Sequence, residues 1–184
     1  MKITKLKIPE VLLIEPDILQ DDRGFFYESF NLEKFENITG RKVSFVQDNF
    51  SKSKKNTLRG LHYQLDPMAQ GKLISVLQGE IFDVVVDLRK SSPTFSTFVF
   101  ETLNSDSRKQ LWVPEGFAHG FLVISEFAEV MYKTTNYYHP DSERAIVWND
   151  PVLSINWPNQ SNILLSNKDK NASSFQDADL FTNS

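Results

Sequence analysis

Arg59, Gly60 and His62 fall inside a nine-residue run, TLRGLHYQL (57–65), that otherwise reads as a strand. An imidazole titrates near neutrality, so His62 can move a proton, hold a metal or pack with a hydrogen bond. Strict alternation puts Leu58, Gly60, His62 and Gln64 on one face and Arg59 on the other. Arg59 and His62 can serve one pocket only if Gly60 breaks that alternation, as a bulge does. A second run, LWVPEGFAHGFLV (111–123), turns at Pro114 and Gly116 and carries His119 where the next strand begins. A third, EVMYKTTNYYHP (129–140), places Tyr132 on a face with Val130 and Thr134. A tyrosine there either packs with its hydroxyl bonded or donates a proton. With His139 these complete the three histidines of the chain, and there is no cysteine. A metal site needs three or four convergent ligands, and GLHYQ lacks a second histidine beside His62. No metal or cofactor is expected.

These side chains need a scaffold, and the composition bounds it. The 184 residues suit one domain over 1–184 with a sizeable core. A hydrophobic fraction of 40% and a charged fraction of 24% are those of a water-soluble globular chain. The longest apolar runs, such as IFDVVVDL, carry charge and are too short to span a bilayer, so no membrane association is expected. MKITKLKIPE has no continuous apolar stretch of the secretory kind, which points to the cytoplasm. Absence of cysteine excludes disulfides, thiolate zinc sites and a cysteine nucleophile. A net charge of −4 argues against nucleic-acid binding but leaves room for an anionic small molecule held by local Arg and Lys.

The elements read mostly as strands. KLISVLQGEIFDVVVDLR (72–89) is two β-rich runs around a Gln-Gly pair, as in a hairpin. In its second half Phe82, Val84, Val86 and Leu88 share one face, and Asp83, Val85 and Asp87 the other. FSTFVFETL and EVMYKTT add strands, and RKVSFVQDNFS adds one with Phe45, Gln47 and Asn49 on a common face. Asn31 can cap a helix over LEKFENIT that Gly40 ends. The stretch after about residue 171, NASSFQDADLFTNS, is polar and expected to be loosely held. Many short strands and frequent turns predict an all-β sandwich or barrel of the jelly-roll kind.

DDRGFFYESF, QDNFSKSKKNTLRGLHYQ, QGKLISVLQGEIFDVVVDLRKSSPTF, QLWVPEGFAHGFLV and VMYKTTNYYHP together resemble the dTDP-4-dehydrorhamnose 3,5-epimerases, in the family's order and over roughly residues 1–170. The resemblance implies a cupin-type jelly-roll barrel without a metal, a homodimer, and a dTDP-sugar substrate epimerised at C3 and C5. It makes His62 the general base, Asp169 of LSNKD its carboxylate partner, Tyr132 the general acid and Lys72 the cation at the ketone oxygen. It lines the substrate and diphosphate pocket with Arg23, Glu28, Gln47, Asn49, Arg59, His119, Tyr138 and Lys168. After Asp169, KNASSF departs from the family's usual alanine- and proline-containing run.

That assignment has chemical logic. A C4 ketone makes the hydrogens on C3 and C5 acidic, and removing either gives an enolate. Inversion takes the proton from one face and returns it to the other, so a base and an acid of different type must flank the ring. A carboxylate behind His62 sets its tautomer and supports the imidazolium. Lys72 offsets charge on the enolate oxygen. Guanidinium groups such as Arg59 and Arg23 bind diphosphate oxygens through paired hydrogen bonds. The competing readings are a single-centre epimerase or ketoisomerase on the same fold, a sugar-nucleotide binding module, and a metal-dependent oxygenase.

Overall fold

A computed structural model describes residues 1–182. Thirteen strands and two short helices follow in order: β1 (Lys2–Lys5), β2 (Leu12–Glu15), β3 (Leu19–Asp21), β4 (Gly24–Phe26), α1 (Leu32–Thr39), β5 (Gln47–Lys54), β6 (Leu58–Gln64), β7 (Lys72–Gln78), β8 (Glu80–Asp87), β9 (Phe98–Asn104), β10 (Gln110–Val113), β11 (Phe117–Val123), β12 (Phe127–Thr134), β13 (Glu143–Ala145) and α2 (Asn167–Lys170). A single 3-10 turn, Pro140–Ser142, precedes β13. Two antiparallel sheets carry the chain, β1-β2-β10-β7-β12-β5 and β13-β6-β11-β8-β9, with β3-β4 as a separate ribbon. This is the all-β sandwich that the short strands and turns predict. Among the described residues no helix is long and apolar enough to cross a membrane.

Three apolar layers follow from the residue alternation. Ile74, Val76 and Val130 of the six-stranded sheet meet Ile81, Val85, Phe121 and Val123 of the five-stranded one, forming the core between the sheets. The outer face of the five-stranded sheet presents Phe82, Val84, Val86 and Leu122 to Ile155, Trp157, Phe175 and Phe181 of the C-terminal segment. The outer face of the six-stranded sheet presents Leu12, Ile14, Leu73 and Trp112 to Phe35 of α1. Helix α1 begins where Asn31 Oδ1 accepts from the Lys34 N–H and ends at Gly40, whose φ is 67°. Strand β8 is thus covered on both sides, and its second face buries Asp83 and Asp87 as well as Val85.

Three expectations are corrected. The Gln-Gly pair does not close a hairpin: β7 lies between β10 and β12, and β8 between β11 and β9. Gly79, at φ 80°, carries the chain from one sheet to the other. Apolar alternation specifies the face of a strand, not its neighbour, so the two topologies look alike in sequence. The strand expected from residue 41 begins at Gln47, and Phe45 packs instead with Phe35 and Trp112 beside α1. The stretch expected to be loose after 171 is docked over its described part, up to residue 182, and its last two residues lie outside the described residues. Phe175 and Phe181 are buried, Phe181 bridges to Arg89, and the Tyr63 hydroxyl donates to the Asp179 carbonyl at 2.6 Å. Its apolar residues are isolated in polar surroundings, so no periodicity marks them.

Candidate active site

The cleft opens where the two sheets part. The five-stranded sheet contributes Arg59 and His62 from β6 and His119 and Phe121 from β11; the six-stranded sheet contributes Gln47, Asn49 and Ser51 from β5, Lys72 from β7 and Tyr132 from β12. His62 and Tyr132 therefore stand on opposite walls. Tyr138 and Glu143 close one side.

Gly60 does what a shared pocket requires of it. Its φ is 127°, and the β11–β6 register shifts between His119 and Phe121. His119 pairs with His62, and Phe121 with Arg59, so both β6 side chains line the cleft. A β-carbon at Gly60 would sit 2.5 Å from Gly120 Cα. The absence of a side chain lets β6 and β11 approach that closely.

His62 Nε2 lies 2.5 Å from Asp169 Oδ1, which leaves Nδ1 as the ring nitrogen available to the cleft. Asp169 is buried on α2, where Ser166 caps the helix: its Oγ accepts from the Asp169 N–H and donates to Oδ2 at 2.7 Å. Burial pushes the Asp169 carboxyl up. The hydrogen bonds from His62, Ser166 and the Gly60 backbone outweigh it and hold the group below the usual carboxylate range. The carboxylate therefore stays charged beside the imidazole. Tyr132 moves the other way. Burial raises its phenol against the lowering charge of Arg59, so it keeps its proton at neutral pH.

Lys72 is buried and points Nζ at the His62 carbonyl, 3.2 Å away. Burial drops its ammonium from 10.5 to about 8, with Glu143 and Asp83 pulling back upward. Arg59 is held from behind by Ser53, which accepts from Nε at 2.9 Å. Gln47 Nε2 donates to Asn49 Oδ1 at 2.9 Å, and Gln47 Oε1 accepts from the Tyr138 N–H. Lys168 stands on α2 and pairs with Glu143.

Two candidates lie away from the cleft. Arg23 is on the β3–β4 ribbon, exposed and paired with Asp21 at 2.6 Å, and Glu28 pairs with Lys34; neither lines the cleft. Two polar groups at the cleft or directly behind it were not singled out as site residues in the sequence. Glu143 accepts from the Tyr138 hydroxyl at 2.7 Å, and Lys168 and Tyr138 keep its half-buried carboxyl below the usual range despite desolvation. It sits on a three-residue strand paired to β6, too short for a periodic signal, within a stretch that reads as a turn. Asp83 backs His119, with Oδ1 2.8 Å from Nε2. Its alternation with Val85 places it on a face but does not say what it meets. Among the described residues no group of three or more His, Asp or Glu is placed to hold a metal ion.

The arrangement suits proton transfer on both faces of an anionic, oxygen-rich ligand. Comparison with known proteins points the same way. The sequence model of the dTDP-4-dehydrorhamnose 3,5-epimerases matches residues 5–177. The chain is 56% identical to the dTDP-4-dehydrorhamnose 3,5-epimerase of Pseudomonas aeruginosa over 181 residues, covering 98% of this chain and 99% of that protein. Its structure is similar to that of the Legionella pneumophila dTDP-6-deoxy-D-glucose-3,5-epimerase in complex with dTDP-4-keto-L-rhamnose. That TM-score is 0.96 at 48% identity, over 100% of this chain and 98% of that one. A Bacillus anthracis dTDP-4-dehydrorhamnose 3,5-epimerase with TDP and PPi bound gives a TM-score of 0.90 at 47% identity, over 94% and 98% of the two chains.

Proposed function

The chain belongs to the dTDP-4-dehydrorhamnose 3,5-epimerase family, and from that membership we propose how its cleft performs the reaction. The enzyme converts dTDP-4-dehydro-6-deoxy-D-glucose to dTDP-4-dehydro-L-rhamnose by inversion at C3 and C5, a step of dTDP-rhamnose synthesis. The observation that carries the mechanism is the placement of His62 and Tyr132 on opposing sheets.

His62 Nδ1 takes the proton from C3 or C5, and the electron pair moves to the C4 oxygen. Asp169, charged and bonded to Nε2, supports the imidazolium that forms. The Lys72 ammonium faces the enolate oxygen. The Tyr132 phenol, still protonated at neutral pH, delivers its proton to the carbon from the other wall, and the configuration inverts. Arg59, fixed by Ser53, binds the diphosphate, with His119, Gln47, Asn49, Tyr138 and Lys168 completing the pocket.

The working unit we propose is a homodimer. Leu19, Phe25 and Phe26 of the ribbon are 66%, 53% and 70% exposed, and Phe50 on the edge strand β5 is 59% exposed. A second copy covering these rings would also bring Arg23 and Glu28 toward a cleft that they do not reach in their own protomer.

Incubation with dTDP-4-dehydro-6-deoxyglucose in D₂O tests the mechanism. Deuterium should enter at both C3 and C5, and His62→Ala should fold normally while losing about 10²–10⁴-fold in exchange at both carbons. Retention of most turnover by His62→Ala would remove it as the base. Deuterium at one carbon only would make the enzyme a single-centre epimerase.

A further inference from the structure

We propose that Asp83 is a positioning residue of this cleft: buried behind His119, its carboxylate orients the His119 ring and keeps the Lys72 side chain cationic. The inference rests on the assignment of Lys72 to the C4 oxygen.

Asp83 occupies a position made for an apolar side chain. It lies on β8 between Ile81 and Val85, both wholly buried in the core between the sheets, and is itself 0% exposed. Oδ1 is bonded to His119 Nε2 at 2.8 Å, while Oδ2 is buried without a hydrogen-bond partner. A carboxylate left half-satisfied in a core is strongly destabilising unless nearby positive charge offsets it. Two groups can supply that charge, His119 and Lys72, and both line the cleft. Desolvation raises the Asp83 carboxyl, and the interactions with His119 and then Lys72 pull it back down.

Each partner gains something specific. Bonding Nε2 to Asp83 leaves Nδ1 as the His119 nitrogen open to a ligand. His62 is built the same way, Nε2 to Asp169, and is the cross-strand neighbour of His119. The two histidines thus present the same ring nitrogen from adjacent strands, each set from behind by an acid. Lys72 must be an ammonium to offset an enolate, and burial works against that. The groups acting on it are Glu143 of β13 and Asp83 of β8, which favour the charge, and Lys168 of α2, which opposes it; the His62 carbonyl on β6 accepts its N–H. Lys168 and Glu143 are themselves an ion pair, so their effects on Lys72 partly cancel. Asp83 has no such compensating cation except the two groups it serves.

Asp83→Asn keeps the shape and removes the charge. The Lys72 Nζ/Cε resonances, titrated by NMR with and without the substitution, should show Lys72 losing its proton about one pH unit lower in the variant. The alkaline limb of kcat/KM should move down with it, and kcat at pH 7.5 should fall about threefold as the charged fraction of Lys72 drops, with KM nearly unchanged. A Lys72 titration and alkaline limb both unmoved would overturn the inference, even if kcat fell. If Asp83→Asn does not fold, histidine ¹⁵N spectra of the unmodified enzyme decide. His119 Nε2 protonated from pH 6 to 9 supports the assignment, and an unprotonated Nε2 defeats it. Lys72→Met with undiminished turnover would instead sink the role of Lys72 at the ketone, a result separate from the Lys72 titration.

Discussion

Lys72 is held charged where a neutral side chain would pack better. Its ammonium is pulled by burial from 10.5 to about 8, so the unfolded chain binds this proton more tightly than the folded one. Below about pH 8 both states are protonated and the folded state bears the whole penalty, roughly 3 kcal/mol. Between about 8 and 10.5 only the unfolded state keeps the proton, and stability rises with pH until the penalty is gone. Lys72→Met removes that penalty but also one of the two cations that offset Asp83, so the prediction is a difference: its effect on stability should be about 3 kcal/mol more favourable at pH 7 than above pH 10.5. The same change should lower kcat about 10²–10³-fold, as removal of an oxyanion-stabilising group does. Calorimetry at the two pH values and a turnover assay check both halves. An effect of the same size at both pH values would mean that burial does not lower the Lys72 ammonium.

Strand β6 delivers Arg59 and His62 to one cleft because Gly60 interrupts the pleat between them. A side chain at Gly60 meets two obstacles: φ of 127°, and Gly120 Cα and His119 O at 2.5 and 2.8 Å from an added β-carbon. Gly120 is also tight from the other strand, with the Arg59 carbonyl 2.8 Å from an added β-carbon. Neither obstacle is a flexible side-chain tip, so the strands themselves must move. Gly60→Ala should destabilise the fold by about 2–4 kcal/mol and abolish turnover. Denaturant midpoints and activity of the soluble fraction measure both. A wild-type midpoint with full activity would mean that the irregularity of β6 does not depend on glycine. The element that carries Asp169 is less exacting: one turn of helix, capped by Ser166 and laid against β6.

At the scale of the molecule, the C-terminal segment completes the outer layer of the five-stranded sheet, while the β3–β4 ribbon leaves Leu19, Phe25 and Phe26 exposed. Exposed Phe25 and Phe26 on the ribbon and exposed Phe50 on the edge strand β5 are large apolar side chains of the kind that association surfaces cover. Sedimentation should give a dimer for the unmodified protein, and Phe26→Glu should yield monomers that stay folded but bind the nucleotide sugar more weakly. A Phe26→Glu protein that remains dimeric would place the interface elsewhere. Loss of affinity only on dissociation would support delivery of Arg23 and Glu28 from the second copy.

Composition, turn frequency and alternation were enough to determine an all-β sandwich, the caps of α1, and the face assignments of β8. Motif order was enough to determine the family. Those properties are local, or sums of local ones, and survive in a linear string. What only the tertiary structure decided is which strand neighbours which and what each buried polar group meets. The crossing at Gly79, the docked segment around Phe175 and Phe181, the entry of Glu143 into the cleft and the pairing of Asp83 with His119 all join residues far apart in the chain or on different sheets. A period-2 pattern tells a side chain which way to point; the partner it finds there depends on how the sheets stack.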